Sequence, residues 1–133
     1  MTMEQHVDCM VIGSGPAGSR AAFDAAAAGM KTAIVELGFV GGTCLNAGCV
    51  PTKFLLGGTY ALPLLEAQKK YKVVSGEARI DLAALQARKE RFIKGTRNSV
   101  QKQFQEAGIT LLTGKASFTG PQEIKWLWTD SYD

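Results

Sequence analysis

Cys44 and Cys49 stand within Gly41-Gly42-Thr43-Cys44-Leu45-Asn46-Ala47-Gly48-Cys49-Val50-Pro51-Thr52-Lys53, and two sulfurs so spaced can serve redox or metal chemistry. A zinc site needs two further ligands, and only Cys9 and His6, both ahead of the glycine-rich Gly13–Gly18 stretch, remain as His or Cys donors. A redox pair needs Cα atoms closer than about 7 Å. A regular helix holds residues five apart at roughly 8–9 Å, so a bond between these sulfurs would require a distorted segment, or a Cys44 that precedes the first helical turn. Gly48 and the Gly41-Gly42 pair make such a departure inexpensive. A strained disulfide is easily reduced, and a nearby helix N-terminus would favour thiolate. The third possibility is a pair of small buried hydrophobes.

A second chemical motif lies 26 residues before Cys44, counted from Gly18. Gly13-Ser14-Gly15-Pro16-Ala17-Gly18 fits G-x-G-x-x-G, and Glu36 follows 18 residues beyond Gly18. A tight turn needs Gly13, close approach of a pyrophosphate needs Gly15, and close packing of helix on strand needs Gly18. A phosphate would meet the free N–H groups and positive dipole end of the helix that begins there. Glu36 would accept the ribose hydroxyls and repel a 2′-phosphate, which favours FAD or NAD over NADP. The pattern does not separate FAD from NAD, and a glycine-rich turn without a ligand is the plainer alternative.

These residues need elements to hold them. Val7–Ile12 is a short apolar run stopped by Gly13, which predicts a buried strand. Ala-rich 15–28, with Pro16 at its first turn and Gly29 just beyond, predicts a helix. Lys31–Glu36 predicts a second strand, and strand–helix–strand at this length is a parallel βαβ unit. Residues 41–54 read as a loop running into a helix, and 55–71 as broken helix because of Gly57-Gly58 and Pro63. Asp81 is an N-cap for a long helix to Ala107, closed by Gly108. On it Leu82, Leu85, Phe92, Val100, Phe104 and Ala107 mark the apolar side, leaving Arg88, Lys89, Arg91, Lys94, Arg97 and Lys102 as a solvated face. Ile109–Leu112 predicts a third strand, and the final 14 residues, with alternating Trp126 and Trp128, hint at another.

Composition bounds the function. The chain of 133 residues is 46% apolar and 20% charged, the balance of one globular domain. A net charge of +3 from 15 basic and 12 acidic residues does not announce a nucleic-acid or membrane-surface partner. No apolar run is long enough to span a bilayer, and the start lacks a signal-peptide pattern. A reducing cytoplasm is therefore the expected compartment, where a Cys pair points to catalysis or metal rather than a structural staple. Cys9, inside the first strand, reads as an inert buried thiol. His6 carries no assigned role.

Gly41–Lys53 resembles the redox-active disulfide signature of the pyridine nucleotide–disulfide oxidoreductases. The likeness runs back through VIGSGPAG and VE and forward to AGITLLTGKASF, covering nearly the whole chain. The Leu45-Asn46 and Thr52-Lys53 choices are most similar to the dihydrolipoamide dehydrogenase and mercuric reductase branches.

The resemblance implies an α/β fold, a partial Rossmann-like FAD-binding domain with a parallel sheet and long inserted helices. It implies FAD against Gly13, Gly15, Pro16, Ala17 and Gly18, with Glu36 on the adenosine ribose and Gly42 and Thr43 giving further contacts. It makes Cys49 the thiolate beside the isoalloxazine, Cys44 the thiol that exchanges with substrate, and Lys53 the charge favouring reduced flavin. The parent would use NAD(P)H, act on a small-molecule or protein-bound disulfide, and form a homodimer. With one G-x-G-x-x-G and no histidine after His6, residues 1–133 read as an incomplete FAD-binding domain without nicotinamide and dimerisation domains, inactive alone. A non-catalytic nucleotide-binding or interaction module is the alternative.

Overall fold

The protein is described by a computed structural model over residues 5–129. Strand β1 (Cys9–Ile12), helix α1 (Pro16–Ala27) and strand β2 (Thr32–Glu36) form the βαβ unit, with β1 and β2 parallel and Val11 opposite Ile34. After β2 come α2 (Gly42–Asn46), α3 (Cys49–Thr59), α4 (Ala61–Lys70) and the long α5 (Leu82–Glu106). Strand β3 (Thr110–Thr113) then returns to the sheet parallel to β2, with Glu36 opposite Thr113. The sheet order is β1-β2-β3, so β2 is central; Thr32–Val35 are buried, as a strand paired on both edges and covered by helices requires.

The core lies where α1 and α5 meet the sheet. Ala22, Ile34, Val40, Phe104 and Ile109 are buried together, with Phe23 against Phe104 at 5.2 Å between ring centroids. Each fully buried apolar side chain of this size stabilises the fold by about 1.5–3 kcal/mol. The buried stripe of α5 differs from the expected one. Leu85, Ile93 and Phe104 are buried, whereas Leu82 and Phe92 are largely exposed. Phe92 instead stands beside Phe54 of α3, at 5.4 Å between ring centroids.

Both long helices end as their glycines require. Gly29 takes a positive φ after α1, and the Gly29 and Met30 N–H groups return to Ala26 and Ala25 carbonyls. Gly108 repeats the arrangement after α5, its own N–H and that of Ile109 returning to Gln105 and Phe104. Asp81 caps α5 by accepting the Ala84 N–H at 2.9 Å. The broken helix expected over 55–71 is α3 and α4, divided at Tyr60.

One strand has no counterpart in the sequence reading. Strand β4 (Lys115–Gly120) pairs antiparallel with β5 (Glu123–Leu127) as a separate two-stranded sheet. Trp126 donates its indole N–H to the Thr113 carbonyl at 2.9 Å, while Trp128 is exposed. Cys9 is half-buried rather than enclosed. Among the described residues, no helix is long and apolar enough to cross a membrane.

Candidate functional site

The turn from β1 into α1 has the shape its glycines predict. Gly13 holds φ +92°, and a Cβ on Gly18 would lie 2.0 Å from the Gly13 carbonyl oxygen, so neither position accepts a side chain. Gly15 is the N-cap of α1 and no side chain caps the helix, while Pro16, with no N–H to satisfy, takes the first turn. The N–H groups of Ala17 and Gly18 thus belong to a first turn without a side-chain acceptor. Gly15 also faces Gly42 closely, since a Cβ added to Gly42 would fall 2.7 Å from the Gly15 Cα. The two glycine-bearing turns meet backbone to backbone.

Glu36 ends β2 beside this turn. Its Oε2 accepts from the Ser14 N–H at 2.7 Å and from the Ser14 hydroxyl at 2.6 Å, and its Oε1 accepts from the Gly38 N–H at 2.9 Å. Partial burial pushes the carboxyl upward, but the donors of Ser14, Gly38 and Leu37 outweigh it and hold Glu36 below its ordinary value of 4.5. The carboxylate is thus kept charged. From Glu36 a cleft of about 270 Å³ runs past Phe39 to Gly42, Thr43, Asn46 and Ala47. A bare helix start, glycines where a Cβ would intrude, and an ionised carboxylate facing a cleft fit a dinucleotide cofactor.

The cysteine segment is broken where its glycine lies. Helix α2 ends at Asn46, Gly48 adopts a non-helical conformation at the head of α3, and Cys49 is the first residue of that helix. This break brings the cysteines together as thiols. Both cysteines are free thiols, and the Cys49 thiol and backbone N–H stand close enough to act on the Cys44 thiol. The thiol contact, followed by burial and the nearby Cys49 charge, pushes the Cys44 thiol above its ordinary value of 9.0; the Cys49 N–H and Lys53 pull the other way. Lys53 stands four residues along α3, one turn beyond Cys49. Cys49 is exposed and Cys44 half-buried. Among the described residues no group of three His, Cys, Asp or Glu side chains is set to hold a metal ion.

Three site residues escaped the sequence reading. Ser14 is buried, and besides bonding Glu36 its hydroxyl accepts the Gly41 N–H at 3.1 Å. Asn46 donates through Nδ2 to the carbonyls of Phe39, Val40 and Gly42 at 3.3, 3.1 and 2.8 Å. Arg97, expected on the solvated face of α5, instead donates from Nε to the Asn46 Oδ1 and lies 3.8 Å above the Phe39 ring centroid. The signal for Arg97 was present: Ile93, Arg97, Val100 and Phe104 follow one another at steps of four, three and four, a single helical stripe. Choosing Phe92 over Ile93 concealed it.

The molecule is by class an α/β protein with a parallel βαβ unit, a glycine-bearing turn at the head of its first helix and two neighbouring free cysteines. Comparison with known proteins makes the class specific: the family described as pyridine nucleotide-disulphide oxidoreductase matches residues 7–132, and the chain belongs to it. It is 34% identical to a dihydrolipoyl dehydrogenase of Chlamydia pneumoniae over 97% of this chain and 28% of that protein. It is 36% identical to the dihydrolipoyl dehydrogenase of Trypanosoma brucei brucei over 95% of this chain and 27% of the relative. The mitochondrial dihydrolipoyl dehydrogenase of Pisum sativum is 36% identical over 88% and 24%. The chain spans about a quarter of the length of these relatives.

Proposed function

We propose that this chain supplies the FAD cradle and the dithiol/disulfide couple of an NAD(P)H-dependent disulfide oxidoreductase of the dihydrolipoamide dehydrogenase kind. One observation carries the reading: the Cys44 and Cys49 thiols are neighbours across a helix break, on a segment whose Gly42 backs onto Gly15 of the phosphate-type turn. The turn from Gly13 through Gly15, Pro16 and Ala17 to Gly18 would hold the pyrophosphate, with Gly42 and Thr43 on the far side. Glu36 would take the ribose hydroxyls, and the Ser14 hydroxyl is the donor on Glu36 that can rotate aside for them. When bound, the flavin supplies a two-electron acceptor and donor.

The remaining chemistry belongs to the chain's own groups. Cys44 is the thiol that attacks an outside disulfide, forming a mixed disulfide and releasing one substrate thiol. Cys49 then attacks the Cys44 sulfur, closes the Cys44–Cys49 bond and releases the second thiol. Lys53 stabilises negative charge that develops at this end of α3. Residues 1–133 are read as an FAD-binding domain. The single G-x-G-x-x-G provides for one dinucleotide, so turnover with a nicotinamide by these residues alone is not expected. The parent reading is a cytoplasmic homodimer acting on small-molecule or protein-bound disulfides.

The test is a titration of the purified protein with FAD, followed by fluorescence, with free thiols counted across a glutathione redox series. Flavin binding together with paired loss of two of the three thiols, abolished in Cys44→Ser and in Cys49→Ser, is the expected result. Flavin binding with Cys44 and Cys49 oxidising independently would leave only a nucleotide-binding module.

A further inference from the structure

Asn46 lies between the two cysteines, and its amide is fixed from both ends. Nδ2 ties three carbonyls of the segment leading into α2, those of Phe39, Val40 and Gly42. Oδ1 receives the Arg97 Nε from α5, 51 residues away in sequence. An amide can present either its oxygen or its NH₂ on a given side, and a guanidinium, which only donates, removes that choice. With Oδ1 facing Arg97, the NH₂ must face the three carbonyls. The Arg97 guanidinium also covers the Phe39 ring, so one side chain grips both ends of segment 39–46. That segment carries Cys44, while Cys49 belongs to α3, which packs against α5.

We propose that Arg97 is a positioning residue for the cysteine pair: through the Asn46 amide and the Phe39 ring it holds α2 where the Cys44 sulfur meets Cys49, and so favours closure of the disulfide. The inference rests on the redox reading above. An unclamped α2 would widen the range of Cys44 positions in the dithiol and leave the bonded form comparatively unchanged, so its loss should weaken disulfide formation. The charge itself is not the agent, since the groups that act on the Cys44 thiol are Cys49 and Lys53.

The experiment equilibrates the 133-residue protein with reduced and oxidised glutathione. Glutathione disulfide accepts two electrons and its S–S bond breaks. The Cys44–Cys49 bond forms, and the two thiol protons leave with the two glutathione thiols. Arg97→Ala should lower the equilibrium constant for closure by about fivefold, the size of a coupling between residues in contact. Arg97→Lys keeps the charge but lacks the planar fork, and should lower the constant by about twofold or more. Phe39→Leu should move it in the same direction. Trp126→Phe is the control for general destabilisation: it should reduce the melting temperature and leave the constant where it was, because Trp126 belongs to the separate β4–β5 sheet and its indole N–H bonds the Thr113 carbonyl. Should Arg97→Ala not fold, Arg97→Lys and Phe39→Leu carry the test. An unchanged constant in the folded Arg97 and Phe39 variants overturns the inference and leaves the redox reading standing. Failure of the unsubstituted protein to form the bond at any glutathione ratio overturns both.

Discussion

Ser14 donates its hydroxyl to the Glu36 Oε2 at 2.6 Å from a position with no exposed surface. The Ser14 hydroxyl oxygen in turn accepts the Gly41 N–H, so one hydroxyl joins the β1–α1 turn, the end of β2 and the loop that leads to Cys44. Replacing Ser14 by Ala leaves the Gly41 N–H without this acceptor and strips one donor from Glu36. A loss of about 1–3 kcal/mol is expected, the usual consequence of leaving a partly buried polar group unpaired. Urea unfolding should show it as a lower midpoint with an unchanged slope. A change below about 0.5 kcal/mol would mean that the three segments are held by other contacts.

Glu36 should also leave a signature in acid. Its carboxyl lies below its ordinary 4.5 in the folded chain, against the upward push of burial, because Ser14, Gly38 and Leu37 donate to the ionised form. A depressed carboxyl contributes stability that is present above the unfolded value and is lost as pH falls through the folded one. Glu36→Gln removes that contribution. The variant should be less stable than the unsubstituted protein by a constant amount near neutrality, and the gap should narrow as pH drops below 4.5. A gap that stays constant down to pH about 2 would assign the loss to shape rather than charge.

A different opportunity lies at the end of α4. Lys72 takes φ +56°, and its N–H and that of Val73 return to the Lys69 and Gln68 carbonyls, as glycines do after α1 and α5. A non-glycine residue in that conformation costs about 1 kcal/mol. Lys72→Gly should therefore raise stability by roughly 0.5–1 kcal/mol, read as a higher thermal midpoint, even though glycine adds chain entropy to the unfolded state. Lys72→Val, branched at Cβ, should lower it.

Lys72 also shows where the sequence stops being informative. Gly29 and Gly108 announce their helix ends because the residue type matches the conformation, whereas nothing about Lys72 predicts a left-handed turn. The βαβ unit, the Gly13–Gly18 turn and the capped α5 were legible for the same reason: each is a short-range match of residue type to backbone need. Strand β4 was not, since its Lys-Ala-Ser-Phe-Thr-Gly residues offer no buried run and its pairing with β5 decides its form. Ser14 was invisible in its role because Glu36 and Gly41 lie 22 and 27 residues away, and Asn46 because the Arg97 that holds its oxygen lies 51 residues on. Arg97 is the instructive case. A charge on a long helix reads as solvated until the stripe is drawn through Ile93 rather than Phe92.

The cysteine pair yields the prediction most exposed to experiment. The neighbouring Cys49 thiol, burial and the Cys49 charge push the Cys44 thiol above its ordinary 9.0, while the Cys49 N–H and Lys53 oppose them. A raised thiol is protonated in the fold, so whatever it adds to stability is present below the unfolded value and disappears as pH rises through the folded one. In the reduced protein, Cys44 should react with iodoacetamide slowly at pH 8 and faster through pH 9 to 10, followed by mass spectrometry of the labelled peptide. Cys49→Ser removes the thiol contact and should move the Cys44 profile to lower pH. Lys53→Met removes a charge that favours the Cys44 thiolate and should move it to higher pH. Opposite displacements by the two substitutions are the result required by a thiol held between a neighbouring sulfur and a lysine one turn further on. If both variants moved the profile the same way, the contact between the two sulfurs would not be what governs Cys44.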